Sequence, residues 1–405
     1  MGGVRVVRLA NAIAPHSGGL RTALRELGQG YARAGHDPVL VMPGLRPGDE
    51  QTEQGRVITV PGPIVPGTGG YRVITARRSL KRLLEDLEPD RLEVSDRTTL
   101  RWTGVWAAAH GVRSMMVSHE GLDGLLRLLG PPGLPTERLA DRMNRASAET
   151  YDVVVCTTRW AAEEFRRLSV PNLVRVPLGV DLDTFSPDRY DEELRATLPD
   201  GPLLVHCSRL SPEKHPDRPI AALAELRRRG VPATLVVIGD GPRRRSLEAK
   251  AEGLPVRFLG HVSDRDLLAR LLATADAAIA PGPVETFGLA ALEALASGTP
   301  VVVSRESALP EVIGCAGLAA DDDPASYADA VEQLLARDIS RRRKAARDQA
   351  ARFDWQTAVD GFLSAHETPA GPADRTPAGE GPASGSPGGG GPADGITADG
   401  SAAAR

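Results

Sequence analysis

A chain of 405 residues is long enough for two or three domains, each burying a core of its own. Its 49 basic and 53 acidic residues leave a formal charge of −4, which argues against a nucleic-acid partner held by phosphate contacts. Three scattered cysteines, Cys156, Cys207 and Cys315, exclude a disulfide framework or a zinc ribbon and suit a reducing compartment. No run nears the ~18 apolar residues of a membrane span, and the opening stretch MGGVRVVRLANAIAPHSGG lacks a signal-peptide hydrophobic region. The expectation is a cytoplasmic protein, at most peripheral on a membrane. Only Lys81, Lys214, Lys250 and Lys344 are lysines, so a lysine in a candidate site stands out.

In chain order, VRVVRL (4–9) predicts a buried strand and LRTALRELGQGYARAG (20–35) the helix after it. DPVLVM (37–42), RSMMVS (113–118), DVVVC (152–156) and LVRVP (173–177) continue the series. The polar, Pro-interrupted stretch LGVDLDTFSPDRYDEE (178–193) breaks it. A second series follows: PLLVHCS (202–208), a helix over 216–229, ATLVVIG (233–239), VRFLG (256–260), ADAAIAP (275–281) and PVVVS (300–304). Strands alternating with helices of 10–15 residues mean parallel βαβ units, and two series mean two doubly wound α/β domains, 1–185 and 186–350. The helix predicted over 354–366 is expected to pack back on the first domain. Residues 368–405 hold 10 Gly, 6 Pro and one large apolar residue, Ile396, and are expected to be a disordered tail.

Ligands of open parallel sheets bind beyond the carboxyl ends of the strands, so four strand-to-helix loops are candidates. In APHSGGLRTA, Gly18 and Gly19 precede a helix N-terminus suited to a phosphate, without the GxGxxG of a dinucleotide fingerprint. SRLSPEKH offers Arg209 and Lys214, a guanidinium fork and an ammonium suited to a diphosphate. In GDGPRRRSLE, Gly239 allows a tight turn, and Asp240 can cap the helix or meet a base or ribose. In PGPVETFGLAALEALASGTPVV, Glu285 and Glu293 flank a helix start at Phe287-Gly288-Leu289. That layout suits a sugar, a phosphate and a ribose side by side.

SRLSPEKH, VVIGDGP and ETFGLAALEALASGTPVV together resemble the retaining glycosyltransferases of family four, over about residues 4–366. The resemblance implies the GT-B fold, two facing Rossmann-like domains with a central cleft. HSGGLRTA, LEVSDRTTLR, SHEGLD and VCTTRWAAEEF look like the actinobacterial mannosyltransferases that extend phosphatidylinositol dimannoside with an α-1,6-linked mannose from GDP-mannose. It implies that Arg209 and Lys214 bind the donor diphosphate, and that Glu285 with the amides of Phe287, Gly288 and Leu289 meets the sugar and phosphate. Glu293 would hold the ribose, Gly18 and Gly19 would approach the phosphates, and His119 would contact the donor sugar. No cofactor and no metal are implied: DDD (321–323) lies in a late turn away from the strand ends, and the two cations would take a metal's place.

For the acceptor, Arg77, Arg78, Lys81 and Arg82 on an amphipathic helical pattern suit an anionic membrane surface, and LDGLLRLLGPPGLP (122–135) reads as an unusually apolar loop. The expected partners are a nucleotide sugar, a glycolipid acceptor and the inner face of the plasma membrane. The alternative within the class is another nucleotide sugar with a soluble or different lipid acceptor. An oxidoreductase would need GxGxxG with an acid ~20 residues on, and a non-catalytic binder would lack the two cations.

Overall fold

The computed structural model describes residues 3–13, 18–65, 70–119, 121–131 and 133–368, without the side chains of 128 and 129. The tail expected over 368–405 lies outside them apart from Thr368, as does the APHS turn at 14–17. The chain opens β1 (Arg5–Ala10), α1 (Gly18–Arg33), β2 (Asp37–Gly44), β3 (Gly48–Thr52), β4 (Gly55–Pro61), α2 (Arg77–Leu87) and β5 (Arg91–Ser95). There follow α3 (Trp102–Ala109), β6 (Arg113–Ser118), α4 (Leu122–Leu129), α5 (Thr136–Thr150), β7 (Val153–Cys156), α6 (Arg159–Arg166) and β8 (Leu173–Arg175). The second half holds α7 (Glu192–Ala196), β9 (Leu203–Cys207), α8 (Arg218–Arg228), β10 (Thr234–Ile238), α9 (Arg244–Lys250), β11 (Val256–Gly260), α10 (Arg265–Thr274) and β12 (Ala277–Ala280). It closes with α11 (Leu289–Ala296), β13 (Val301–Ser304), α12 (Leu309–Ile313), β14 (Leu318–Ala320), α13 (Pro324–Leu335), α14 (Ile339–Ala350) and α15 (Trp355–Glu367).

β1–β8 form one eight-stranded sheet, β3-β4-β2-β1-β5-β6-β7-β8, and β9–β14 a six-stranded one, β11-β10-β9-β12-β13-β14. All pairings are parallel except β3 with β4. In each sheet the order turns back beside its first strand: β1 lies between β2 and β5, and β9 between β10 and β12. Those are the switch points at which crossing helices diverge to opposite faces and leave a crevice at the carboxyl ends.

One apolar cluster runs from Val6 and Tyr31 through Val180 and Phe185 of the connecting stretch to Leu292 and Val303. It also takes in Val359 and Phe362 of α15, which packs on α1 so closely that any Cβ on Gly30 would overlap Val359. The last helix thus returns to the first sheet, as its sequence position suggested.

The sequence reading passed over β4 and β14, and three further elements depart from it in ways that bear on the fold. GDEQT forms an antiparallel edge strand with no buried residue and no large apolar side chain, so it carries no hydrophobic period to read. RLEVS is a central strand although Glu93 sits in its middle; Glu93 stands in register with Arg8 of β1, and the pair is buried. LDGLLRLL is not a loop: residues 122–129 form α4, whose first amides at Leu122 and Asp123 donate to Glu164 of α6 at 3.1 and 2.9 Å.

The Arg8–Glu93 pair fastens α1 and α15 to the sheet. Arg8 Nε donates to Glu93 at 3.1 Å, Tyr31 Oη donates to it at 2.9 Å, and His366 of α15 lies 3.6 Å away. Burial pushes the Glu93 carboxyl up, but Arg8, His366 and Tyr31 outweigh it and hold it at about 2. Removing one member of such a pair leaves a buried charge alone. Glu93→Leu is therefore expected to lower the unfolding free energy by about 3–5 kcal/mol, read by chemical denaturation, whereas a surface ion pair would change it by under about 1 kcal/mol.

Candidate active site

Between the two sheets lies a cleft of about 660 Å³ lined from both sides, within the range of about 300–1,000 Å³ typical of small-molecule sites. From the first sheet come Gly18 and Gly19 at the start of α1, Tyr71 before α2, and His119 just past β6. The second contributes Arg209 and Lys214 after β9, Gly239 and Asp240 after β10, and Glu285 to Leu289 with Glu293 after β12. Every donor-site residue singled out in the sequence thus lines one cleft. The Arg77, Arg78, Lys81 and Arg82 side chains lie apart from that lining, exposed on α2.

β9 and β12 are neighbours, so the loops that leave them meet. Lys214 Nζ donates to Glu285 Oε1 at 2.5 Å. Burial works against the Lys214 ammonium, but Glu285, Tyr71 and Glu213 more than compensate and hold its proton more tightly than usual. Arg209 is tied to Glu213 at 3.2 Å, and its guanidinium lies 4.3 Å from the centre of the Tyr71 ring. Two fixed cations therefore stand at the mouth of the helix that follows β12.

That helix, α11, is entered through Gly288 at φ +74°, a left-handed conformation in which any Cβ would also overlap Leu309. Ala291 and Leu292 donate their amides to the Gly288 carbonyl at 3.0 and 3.2 Å, so α11 begins at residues that line the cleft, and a helix start there suits an anion. Phe287, 3% exposed, packs edge-on against Phe353 with ring centres 5.8 Å apart. One turn further, Glu293 is 9% exposed with Arg265 of α10 at 4.0 Å. Burial raises its carboxyl to about 7, against the pull of Arg265 and Arg25.

His119 sits against Ser95 at the end of β5, with Nε2 and Oγ 3.0 Å apart. Burial lowers its pKa to about 4, outweighing Glu93, so the ring is neutral near pH 7 and acts through hydrogen bonds. Gly239 donates its N–H to Gly260 at 2.7 Å, and Asp240 is engaged locally by Arg244 at 3.1 Å. The acids of DDD are spent on structure: Asp321 pairs with Arg305, Asp322 with Arg218, and Asp323 caps α13. Among the described residues no group of three or more His, Cys, Asp or Glu is placed to hold a metal.

Sequence reasoning missed Tyr71, Arg265 and Thr286. Tyr71 reaches the site from a loop and Arg265 from the first turn of α10, neither with a readable motif, whereas Thr286 was hidden between two residues already assigned roles.

Two doubly wound layers facing across a crevice, with cations and a helix start gathered at the strand ends, define a sugar-nucleotide transferase of the GT-B type. The family described as "Glycosyl transferase 4-like domain" matches residues 18–179, and that described as "Glycosyl transferases group 1" matches 201–337. The chain belongs to this glycosyltransferase family, family four of the retaining enzymes. It is 50% identical over 367 residues to the GDP-mannose-dependent alpha-(1-6)-phosphatidylinositol dimannoside mannosyltransferase of Mycobacterium tuberculosis strain ATCC 25177 / H37Ra, covering 89% of this chain and 95% of that one. A GDP-mannose-dependent alpha-(1-6)-phosphatidylinositol monomannoside mannosyltransferase of Mycolicibacterium smegmatis is 29% identical, over 87% of this chain and 95% of the other. In fold, sucrose-phosphate synthase from Thermosynechococcus elongatus superposes with a TM-score of 0.72 at 21% identity, over 90% of this chain and 98% of that one. The Anabaena HepE structure with UDP and glucose gives 0.71 at 16% identity, over 90% of this chain and all of that one.

The Glu293 carboxyl predicts a pH effect with a definite sign. Its raised pKa of about 7 leaves it largely protonated at pH 6 and ionised at pH 8, and only the carboxylate accepts from two vicinal hydroxyls. The donor KM is expected to fall roughly tenfold as pH rises from about 6 to 8. In Glu293→Gln the KM should be higher and the slope absent; a slope that persists would assign it to another group.

Proposed function

We propose that this enzyme transfers mannose from GDP-mannose to a phosphatidylinositol dimannoside, forming an α-1,6 linkage with retention at the anomeric carbon. The observation that carries the reading is the identity shared along nearly the whole chain with the mycobacterial enzyme of that activity. Arg209 and Lys214 bind the diphosphate, with the α11 amides completing its cradle. Glu293 takes the ribose, Glu285 the sugar hydroxyls, and His119 a sugar hydroxyl near the reacting carbon.

As the bond from the anomeric carbon to the phosphate oxygen breaks, negative charge gathers on the departing diphosphate, where fixed cations stabilise it. The acceptor hydroxyl attacks from the same face. The new bond to the anomeric carbon forms as the hydroxyl proton passes to the leaving phosphate oxygen. A retaining glycosidase would instead need two carboxyl groups about 5 Å apart; here Glu285 is paired with a cation. Arg209 and Lys214 supply the charge that a divalent metal supplies elsewhere, so no metal is required.

No described helix is long and apolar enough to cross a membrane. The lipid acceptor's acyl chains stay in the bilayer, so the enzyme works at the cytoplasmic surface through α2. Its apolar face, Leu80, Leu84 and Leu87, is buried in the first lobe, and its basic residues are exposed.

Incubation with a panel of nucleotide sugars in excess EDTA, with and without phosphatidylinositol dimannoside, tests donor, acceptor and metal together. GDP-mannose turnover stimulated by the lipid is expected. Preference for another nucleotide sugar or a soluble acceptor would replace the donor or acceptor assignment, and activity restored only by Mg²⁺ or Mn²⁺ would overturn metal independence. Changing Arg77, Arg78, Lys81 and Arg82 to Ser should weaken binding to anionic vesicles by orders of magnitude, at about 1 kcal/mol per cation. Activity on a deacylated acceptor should persist. Full sedimentation of this variant with vesicles would make α2 an ordinary solvated helix.

A further inference from the structure

Thr286, flanked by the donor-loop residues Glu285 and Phe287, is fastened to the first lobe through both its side chain and its backbone. Its hydroxyl donates to the carbonyl oxygen of His119 at 2.6 Å. Its own carbonyl accepts from the hydroxyl of Thr158 at 2.9 Å and lies 3.4 Å from that of Thr157. All three threonines are nearly buried, so these bonds exchange for nothing when broken.

Thr158 is also the N-cap of α6, its oxygen accepting from the Ala161 amide at 3.1 Å. A second acceptor from the donor lobe arrives at the same helix end. Glu311 of α12 receives the amides of Arg159 at 2.8 Å and Trp160 at 3.3 Å, and lies 3.2 Å from the Arg175 guanidinium. The start of α6 is therefore a docking point for two neighbouring segments of the second lobe.

We infer that Thr286 is a positioning residue: it clasps the donor-sugar loop to the His119 backbone and sets the distance between Glu285 and the His119 ring. The geometry favours this over simple packing, because a packing residue would not need both its polar groups satisfied across the cleft by the two segments that carry His119 and the α6 cap. The inference rests on the reading of His119 and Glu285 as donor-sugar residues. Thr286 touches no reacting atom; it acts through the groups on either side of it.

The experiment compares Thr286→Val, which keeps the shape and loses the hydroxyl, with Thr286→Ser, His119→Ala and the Val/Ala double variant, all checked for unchanged thermal unfolding. GDP-mannose and the lipid acceptor are the substrates, or whichever nucleotide sugar the wild type turns over. Thr286→Val is expected to lower kcat roughly tenfold or more while donor KM moves less than about twofold, since misplacement by about an ångström costs that much or more. Ser should restore most of kcat. The double variant should be no slower than His119→Ala alone, because the two residues act as a unit. Full kcat in Thr286→Val, a Ser variant no better than Val, or multiplying losses in the double variant would each overturn the clasp. A wild type that turns over no nucleotide sugar would instead overturn the proposed function, which keeps the two failures apart.

Discussion

The contact between Lys214 and Glu285 organises the donor side of the cleft. The two residues leave the ends of adjacent parallel strands, β9 and β12, where the strand order reverses and no helix covers the crevice. A lysine there without a carboxylate would be a half-buried charge with no partner, and a glutamate without the lysine would meet the same penalty. Together they hold both loops in place, and the α11 N-terminus, Arg209 and Glu293 take their positions from those loops. Under the proposed function, a donor diphosphate at this point would meet a cation whose proton is secure and whose location is already determined. Little reorganisation remains for the moment at which charge develops.

Elsewhere the molecule uses buried polar groups for attachment rather than chemistry. Arg8, Glu93, Tyr31 and His366 tie the last helix to the first strands, so that a chain which has built the second lobe returns to the first. Arg97 does similar work, reaching Asn144 at 2.8 Å and Glu164 at 3.1 Å, while Glu164 in turn receives the first amides of α4. An apolar helix beside the cleft is thereby held by its polar end. Such networks are costly unless fully paired, and these link elements far apart in sequence.

Where local chemistry determined the outcome, the amino-acid sequence was sufficient. Short β-branched runs such as VVIG and PVVVS favour buried parallel strands, and their alternation with helices points to two doubly wound layers. That Arg209, Lys214, Gly288, Glu285 and Glu293 share one cleft was legible because cations, carboxylates and a turn-forming glycine at strand ends are residue types that ligand sites of parallel sheets use. The edge strand GDEQT and the central strand RLEVS were not legible. One owes its place to backbone pairing and an exposed Asp49–Arg56 ion pair, and the other hides its period behind a glutamate whose partner lies 85 residues away.

The relations across the cleft belong to the tertiary structure. Tyr71 over Arg209, Arg265 beside Glu293, and Thr286 between His119 and Thr158 join residues separated by up to 167 positions. No spacing rule connects them: the first and third depend on how one sheet is set against the other, and the second on how α10 packs beside α11 within the second lobe. Residue type and strand order determined what the site can bind. The packing of the two lobes determined how close its halves come, since that distance follows from the burial of α15 and of the α6 end rather than from any motif.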